Sequence, residues 1–240
     1  MVRTVCFAGL CALAALTCAY GDEKSLDGAG SAARLDVEAR KAAMKGRSLF
    51  VGIGESNAKR KAAGLASVWP KSSDARSKDA KDIAGMDFKT STQYFNELCD
   101  MAKYGKPDWS PYVGGVDPSV LSFAERTSVD GKLKTEDVDW LVLKGVTDEM
   151  SDVIPVLISA NVNPEDLVTS GTFDGASDKP IRLGRANGAA KDLFGNEALV
   201  VIRKSGAAQL VKAKYAKQNL LYHKQEFRVP AGVKLEYLRP

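Results

Sequence analysis

Apolar positions in the first third of the chain recur at helical spacing. From Ala32 to about Ala63 there is no Pro, Ala is frequent, and Leu35, Ala39, Ala42, Leu49, Phe50 and Ile53 return three and four residues apart on one side. This spacing predicts a long helix over 32–63, with Gly64 as its stop. Its basic residues, among them Arg40, Lys41, Lys45, Arg47, Lys59, Arg60 and Lys61, fall mostly off the apolar stripe. At the N-terminal end the stripe thins to Leu35, Ala39 and Ala42, a narrow row that suits helix–helix contact better than burial under a sheet. These three residues are therefore expected to pack against a protein partner or a second copy of the chain.

A shorter helix is predicted from about Ser91 to Lys103. Thr90 or Ser91 can cap it, Tyr94, Phe95, Leu98 and Met101 share one face, and Gly105 lies beyond its end. After the Pro- and Gly-bearing stretch 106–119 the pattern becomes strand-like, at Trp140–Val146, Val153–Ser159, Ala198–Arg203 and Ala207–Val211. The last two flank Lys204-Ser205-Gly206 and form a hairpin, while Tyr215–Tyr222 reads as one more strand or a helical turn. Helices first and strands later, without alternation, predict an α+β fold in which the long N-terminal helix packs on a mainly antiparallel sheet, with the second short helix beside it.

Two segments precede that domain, which is expected to span 32–240 as a single unit. Residues 1–21 combine an early Arg3, an unbroken apolar run from Val5 to Leu16 and small residues around Ala19 and Gly21, the anatomy of a secretory signal peptide. The run is short of the roughly 20 residues that cross a bilayer as a helix, so cleavage near Ala19 and Gly21 is expected, with no stable membrane span afterwards. Lipoprotein processing at Cys18 is the rival, and it fits poorly because Ala15 and Thr17 stand where Leu and a small residue are usual. Residues 22–31 are polar and carry Gly, as a flexible lead-in would. The expected location is periplasmic or secreted. Cys6, Cys11 and Cys18 leave with the signal, so Cys99 alone survives, and the exported domain must be stable without an internal disulfide.

Composition adds little. The chain has 240 residues with a formal charge of +4, too slight and interspersed for a nucleic-acid footprint. Candidate chemistry is incomplete at each place it appears. Asp130, Gly131, Leu133 and Asp137 resemble the second half of a calcium loop, but Arg126 stands at its first ligand position and Ser128 where a carboxylate belongs. Asp148, Glu149 and Asp152 gather on a loop before an apolar strand, where solvated carboxylates are the common case. Gly52, Gly54 and Ser56 lie inside the predicted helix, the wrong place for a phosphate loop or a hydrolase elbow. His223 is the one His, which removes multi-His metal sites and most His-dependent triads. Cys99 sits in the apolar pattern of the second helix and reads as a buried thiol. No cofactor, metal or catalytic residue is predicted.

The stretch Ala39–Pro70, ending in Trp69-Pro70, resembles the second half of a pilin spine helix with its aromatic-Pro exit, and the hairpin Asn196–Ala213 is similar in kind to the terminal hairpins of large pilin-like proteins. On these residues the chain resembles the head region of type IV pilin-like proteins, the pseudopilins of type II secretion. The usual prepilin cleavage motif and the long apolar half-helix after it are absent, so the resemblance implies a pilin-like head whose membrane half is exchanged for an export signal. It further implies a non-enzymatic protein acting in assembly or interaction at the cell envelope. The alternative is an exported enzyme or carbohydrate-binding module, with Trp69, Trp109, Trp140, Tyr104 and Tyr112 as a sugar platform beside Asp148, Glu149 and Asp152.

Overall fold

The computed structural model describes residues 26–72, 83–104, 116–123, 132–184 and 194–240. Among the described residues, three helices and seven strands run in the order α1 (Leu26–Ala62), α2 (Ser91–Tyr104), β1 (Trp140–Lys144), β2 (Pro155–Ser159), β3 (Thr172–Phe173), β4 (Ala198–Arg203), β5 (Ala208–Lys212), α3 (Gln218–Leu221), β6 (Phe227–Arg228) and β7 (Glu236–Leu238). The main sheet has five strands in the order β5-β4-β2-β1-β7, and each neighbouring pair is antiparallel. A second sheet pairs β3 with β6, also antiparallel. The fold is α+β, with a long N-terminal helix on a mainly antiparallel sheet.

Helix α1 begins at Leu26 rather than Ala32, so it takes in the second half of the stretch read as a lead-in. No Pro interrupts this part of the chain, and its Ala residues favour continuing the helix. At the other end Gly64 adopts φ 72, the left-handed conformation of a helix stop, while the Leu65 N–H returns to the Arg60 carbonyl at 2.8 Å. The chain then leaves toward Trp69-Pro70 along Asn57, whose side-chain oxygen accepts from the Val68 N–H at 2.8 Å and the Ser67 hydroxyl at 2.9 Å. In α2, the Thr90 hydroxyl caps by accepting from the Gln93 N–H at 3.1 Å.

Strands β1, β2 and β4 are buried along their whole length, which is why they read as continuous apolar runs rather than as alternating ones. The hairpin β4–β5 turns through Gly206 at φ 79, with Ala198 opposite Lys212. Tyr215–Tyr222 resolves as helical turns, including α3, and not as a strand. Strand β7, at the edge beside β1, is absent from the sequence-based expectation. It is only 3 residues long, and it is held by tertiary contacts such as the Tyr237 hydroxyl donating to the Pro155 carbonyl at 2.8 Å.

Helix α1 packs on β4 and β5. Its inward positions are Leu35, Ala39, Ala42, Gly46, Leu49, Ile53, Ser56 and Arg60, alternately four and three residues apart; Leu35 is partly buried against the core and the others are buried. Gly46 marks the closest approach: a Cβ there would collide with the Trp140 ring and come within 2.8 Å of Ile202 Cγ1.

Candidate functional site

The stripe assigned to a partner belongs to the protein's own interior. Ala39 is 0% exposed and Ala42 1%, while Leu35 packs against the core. The small side chains that made the stripe look thin are the reason it is covered. Ala39, Ala42 and Gly46 let the helix backbone settle close to the sheet, so less side chain is needed to close the gap. Leu35, Ala39 and Ala42 thus lie on the face of α1 that packs into the core and are not a free docking row.

The opposite face of α1 carries a row that sequence reading missed. Val37, Met44 and Val51 are 51%, 71% and 49% exposed, conspicuous among the large apolar side chains of the described residues. They lie seven residues apart, and a straight helix brings residue i+7 to within about 20° of residue i, so they form one line along the helix. Exposed Ala58 continues it. Exposed Arg34 and Lys59 flank the line on one side, and exposed Arg47 and Lys61 on the other. The signal was present as a seven-residue repeat of single apolar residues. It was overshadowed by the richer stripe half a turn away.

The carboxylate candidates are tied into local structure. Lys204 reaches into the turn of Asp148, Glu149 and Asp152, where its ammonium donates to the Asp148 carbonyl at 2.8 Å and the Met150 carbonyl at 2.6 Å and pairs with Asp152 Oδ1 at 3.5 Å. A lysine therefore holds the place of a cation in that turn. Asp137 is buried and accepts from the Lys134 N–H at 2.8 Å, capping the single turn Thr135–Asp137. Arg126, Ser128, Asp130 and Gly131 lie outside the described residues. Among the described residues no group of His, Cys, Asp and Glu is placed to hold a metal ion.

The aromatic platform does not assemble from the described members. Trp140 is fully buried on β1, with its indole N–H donating to the Val120 carbonyl at 3.1 Å and Phe123 edge-on to it. Trp69 is partly buried against Phe50, the two ring centroids 6.2 Å apart. Tyr104 closes α2, and Trp109 and Tyr112 lie outside the described residues, as do Ala19 and Gly21. Cys99 is half-buried, and its thiol contacts the Val116 carbonyl at 3.8 Å. Gly52, Gly54 and Ser56 are inside α1, where the buried Ser56 hydroxyl bonds back to the Gly52 carbonyl at 3.0 Å.

Two ionic arrangements were not foreseen. Asp166 is buried and receives the Arg182 guanidinium through both oxygens, at 2.9 and 3.0 Å. Burial alone would raise its pKa, but the hydrogen bonds and charge of Arg182, with help from Lys179, hold it below the ordinary value. Arg203 is buried at the end of β4 against neutral acceptors, the Gln209 side chain at 2.6 Å and the Leu221 carbonyl at 2.5 Å, and burial lowers its pKa to about 10. His223 follows the same turn at φ 56 and shares the Gln209 oxygen at 3.2 Å. These groups lock the hairpin to α3 and the loops, whereas the outer row of α1 has no such structural duty. No family model, curated protein or solved structure matches the chain.

Proposed function

We propose that the chain is an exported, non-enzymatic, pilin-like protein that acts in assembly or interaction at the cell envelope, in keeping with a part in type II secretion. The supporting observation is α1 itself. Its 37 residues make a rod of about 55 Å at 1.5 Å per residue, against strands of five or six residues that span about 20 Å. Its outer face shows Val37, Met44 and Val51 to solvent while the inner one, from Ala39 to Arg60, is buried. A rod that overruns its sheet and shows an apolar row on its outer face is a device for contact with another molecule. Under this reading the first 21 residues direct export, and the mature protein starts near Asp22.

The test is expression of the full chain in a bacterial host, followed by cell fractionation and mass spectrometry. The expected result is periplasmic or secreted protein with an N-terminus near Asp22 and no lipid. Cytoplasmic retention, or an acylated Cys18, would overturn the export reading. Hydrolysis of glycans by the purified protein, abolished by changes at Asp148, Glu149 or Asp152, would replace it with the enzyme alternative.

A further inference from the structure

We infer that the outer face of α1 is the docking surface for an acidic helix of a different protein, one that presents a single row of apolar residues flanked by Asp and Glu. The apolar half of the match is the line Val37, Met44 and Val51, continued by Ala58. It is one residue wide and repeats every seven residues, the period at which two helices keep a seam in contact. From Val37 to Ala58 the row runs about 32 Å at 1.5 Å per residue, several turns of helix–helix contact. The ionic half is the rim. Arg34, Arg47, Lys59 and Lys61 are exposed beside the row and make no ion pair among the described residues, whereas Glu55 is the exposed carboxylate set against them.

The other occupants fit less well. An interfacial lipid-binding helix needs a broad apolar face, usually with Trp, Phe or Leu, to sink into the headgroup region. Here Arg40, Lys41, Arg47 and Ser48 are exposed directly beside the row and leave no such breadth. A second copy would bring the same cations against themselves, and like charges across a helix pair disfavour it. An acidic helix satisfies both the row and the rim.

The inference rests on the proposal above only in supposing that the chain has a protein partner, and its test needs no export. The probes are a synthetic helical peptide of about four heptads with Leu along its seam and Glu on both flanks, and its counterpart with Lys on the flanks. Binding to the purified full chain is read by fluorescence anisotropy. The Glu peptide is expected to bind at least about tenfold more tightly than the Lys peptide, with the gap narrowing as salt rises. Val37→Ser, Met44→Ser and Val51→Ser together should weaken binding of the Glu peptide about tenfold or more, with the melting temperature little changed. Replacing Arg34, Arg47, Lys59 and Lys61 by Glu should reverse the preference toward the Lys peptide, a result that misfolding cannot imitate. Equal affinity for the two peptides overturns the inference. So does tighter binding to phosphatidylglycerol vesicles than to the Glu peptide, or a dimer in sedimentation that the Met44→Ser change dissolves. A protein that is exported correctly but ignores charge fails this inference alone, and one that binds the Glu peptide but stays in the cytoplasm fails the export reading alone.

Discussion

Gly46 shows how one residue can set the spacing of a whole layer. A Cβ there has the Trp140 ring and Ile202 in its way, and the indole cannot easily retreat because its N–H is committed to the Val120 carbonyl. Replacing Gly by Ala inside a helix is worth about 1 kcal/mol in propensity, yet overpacking typically costs about 1–3 kcal/mol, and the clash should win. Gly46→Ala is therefore expected to lower stability in urea unfolding, and Gly46→Val to lower it further. An unchanged midpoint for both would mean that the helix does not sit this close to the sheet. His223 gives the residue scale a pH signature. Burial, and then the charge of Arg203, lowers its pKa from the ordinary 6.5, so the folded protein binds this proton less readily than the unfolded chain. Its contribution is fully present above 6.5 and declines as pH falls from there toward the depressed folded value. His223→Asn, which tolerates the left-handed backbone at φ 56, should flatten that part of the stability profile. Parallel profiles for variant and parent between about pH 7 and 5.5 would contradict the assignment.

At the scale of an element, α1 has two faces with opposite demands. The inner one is closed by Ala39, Ala42, Gly46, Leu49 and Ile53, and the outer one shows Val37, Met44 and Val51 to solvent. Ala42→Glu would bury a carboxylate with no partner built for it and should unfold the domain or cost it several kcal/mol. Met44→Glu, on the same helix two residues away, should leave stability within about 0.5 kcal/mol of the parent, as at surface positions. Thermal melts of the two variants side by side decide this, and equal damage from both would show that the outer face is covered. The hairpin β4–β5 is fastened to the turn before β2 by Lys204, which donates to two carbonyls there. Lys204→Met would leave those carbonyls without their donor and should cost about 1–3 kcal/mol, measured by urea unfolding.

At the scale of the whole molecule, what holds the described residues together is the core. Three central strands and the inner face of α1 from Ala39 to Arg60 are buried, and Cys99 is a free thiol. A mature chain from Asp22 should consequently melt at the same temperature with and without reductant; a drop with reductant would reveal a bridge between copies through Cys99. Much of this architecture was legible in local sequence. The absence of Pro, the Ala content and Gly64 determine that 32–63 is helical, because helix formation and termination depend on backbone preferences within a few residues. The apolar runs at Trp140, Pro155 and Ala198 and the Lys204-Ser205-Gly206 turn determine central strands and a hairpin for the same reason. What local pattern could not settle is which face of α1 meets the sheet. Ala39 and Ala42 look like a weak stripe along the chain, and only the close approach at Gly46, made by Trp140 and Ile202 from strands about a hundred residues or more away, turns small side chains into a close helix–sheet contact. That choice, made by packing between distant segments, buries the row expected to bind a partner and leaves Val37, Met44 and Val51 outward in its place.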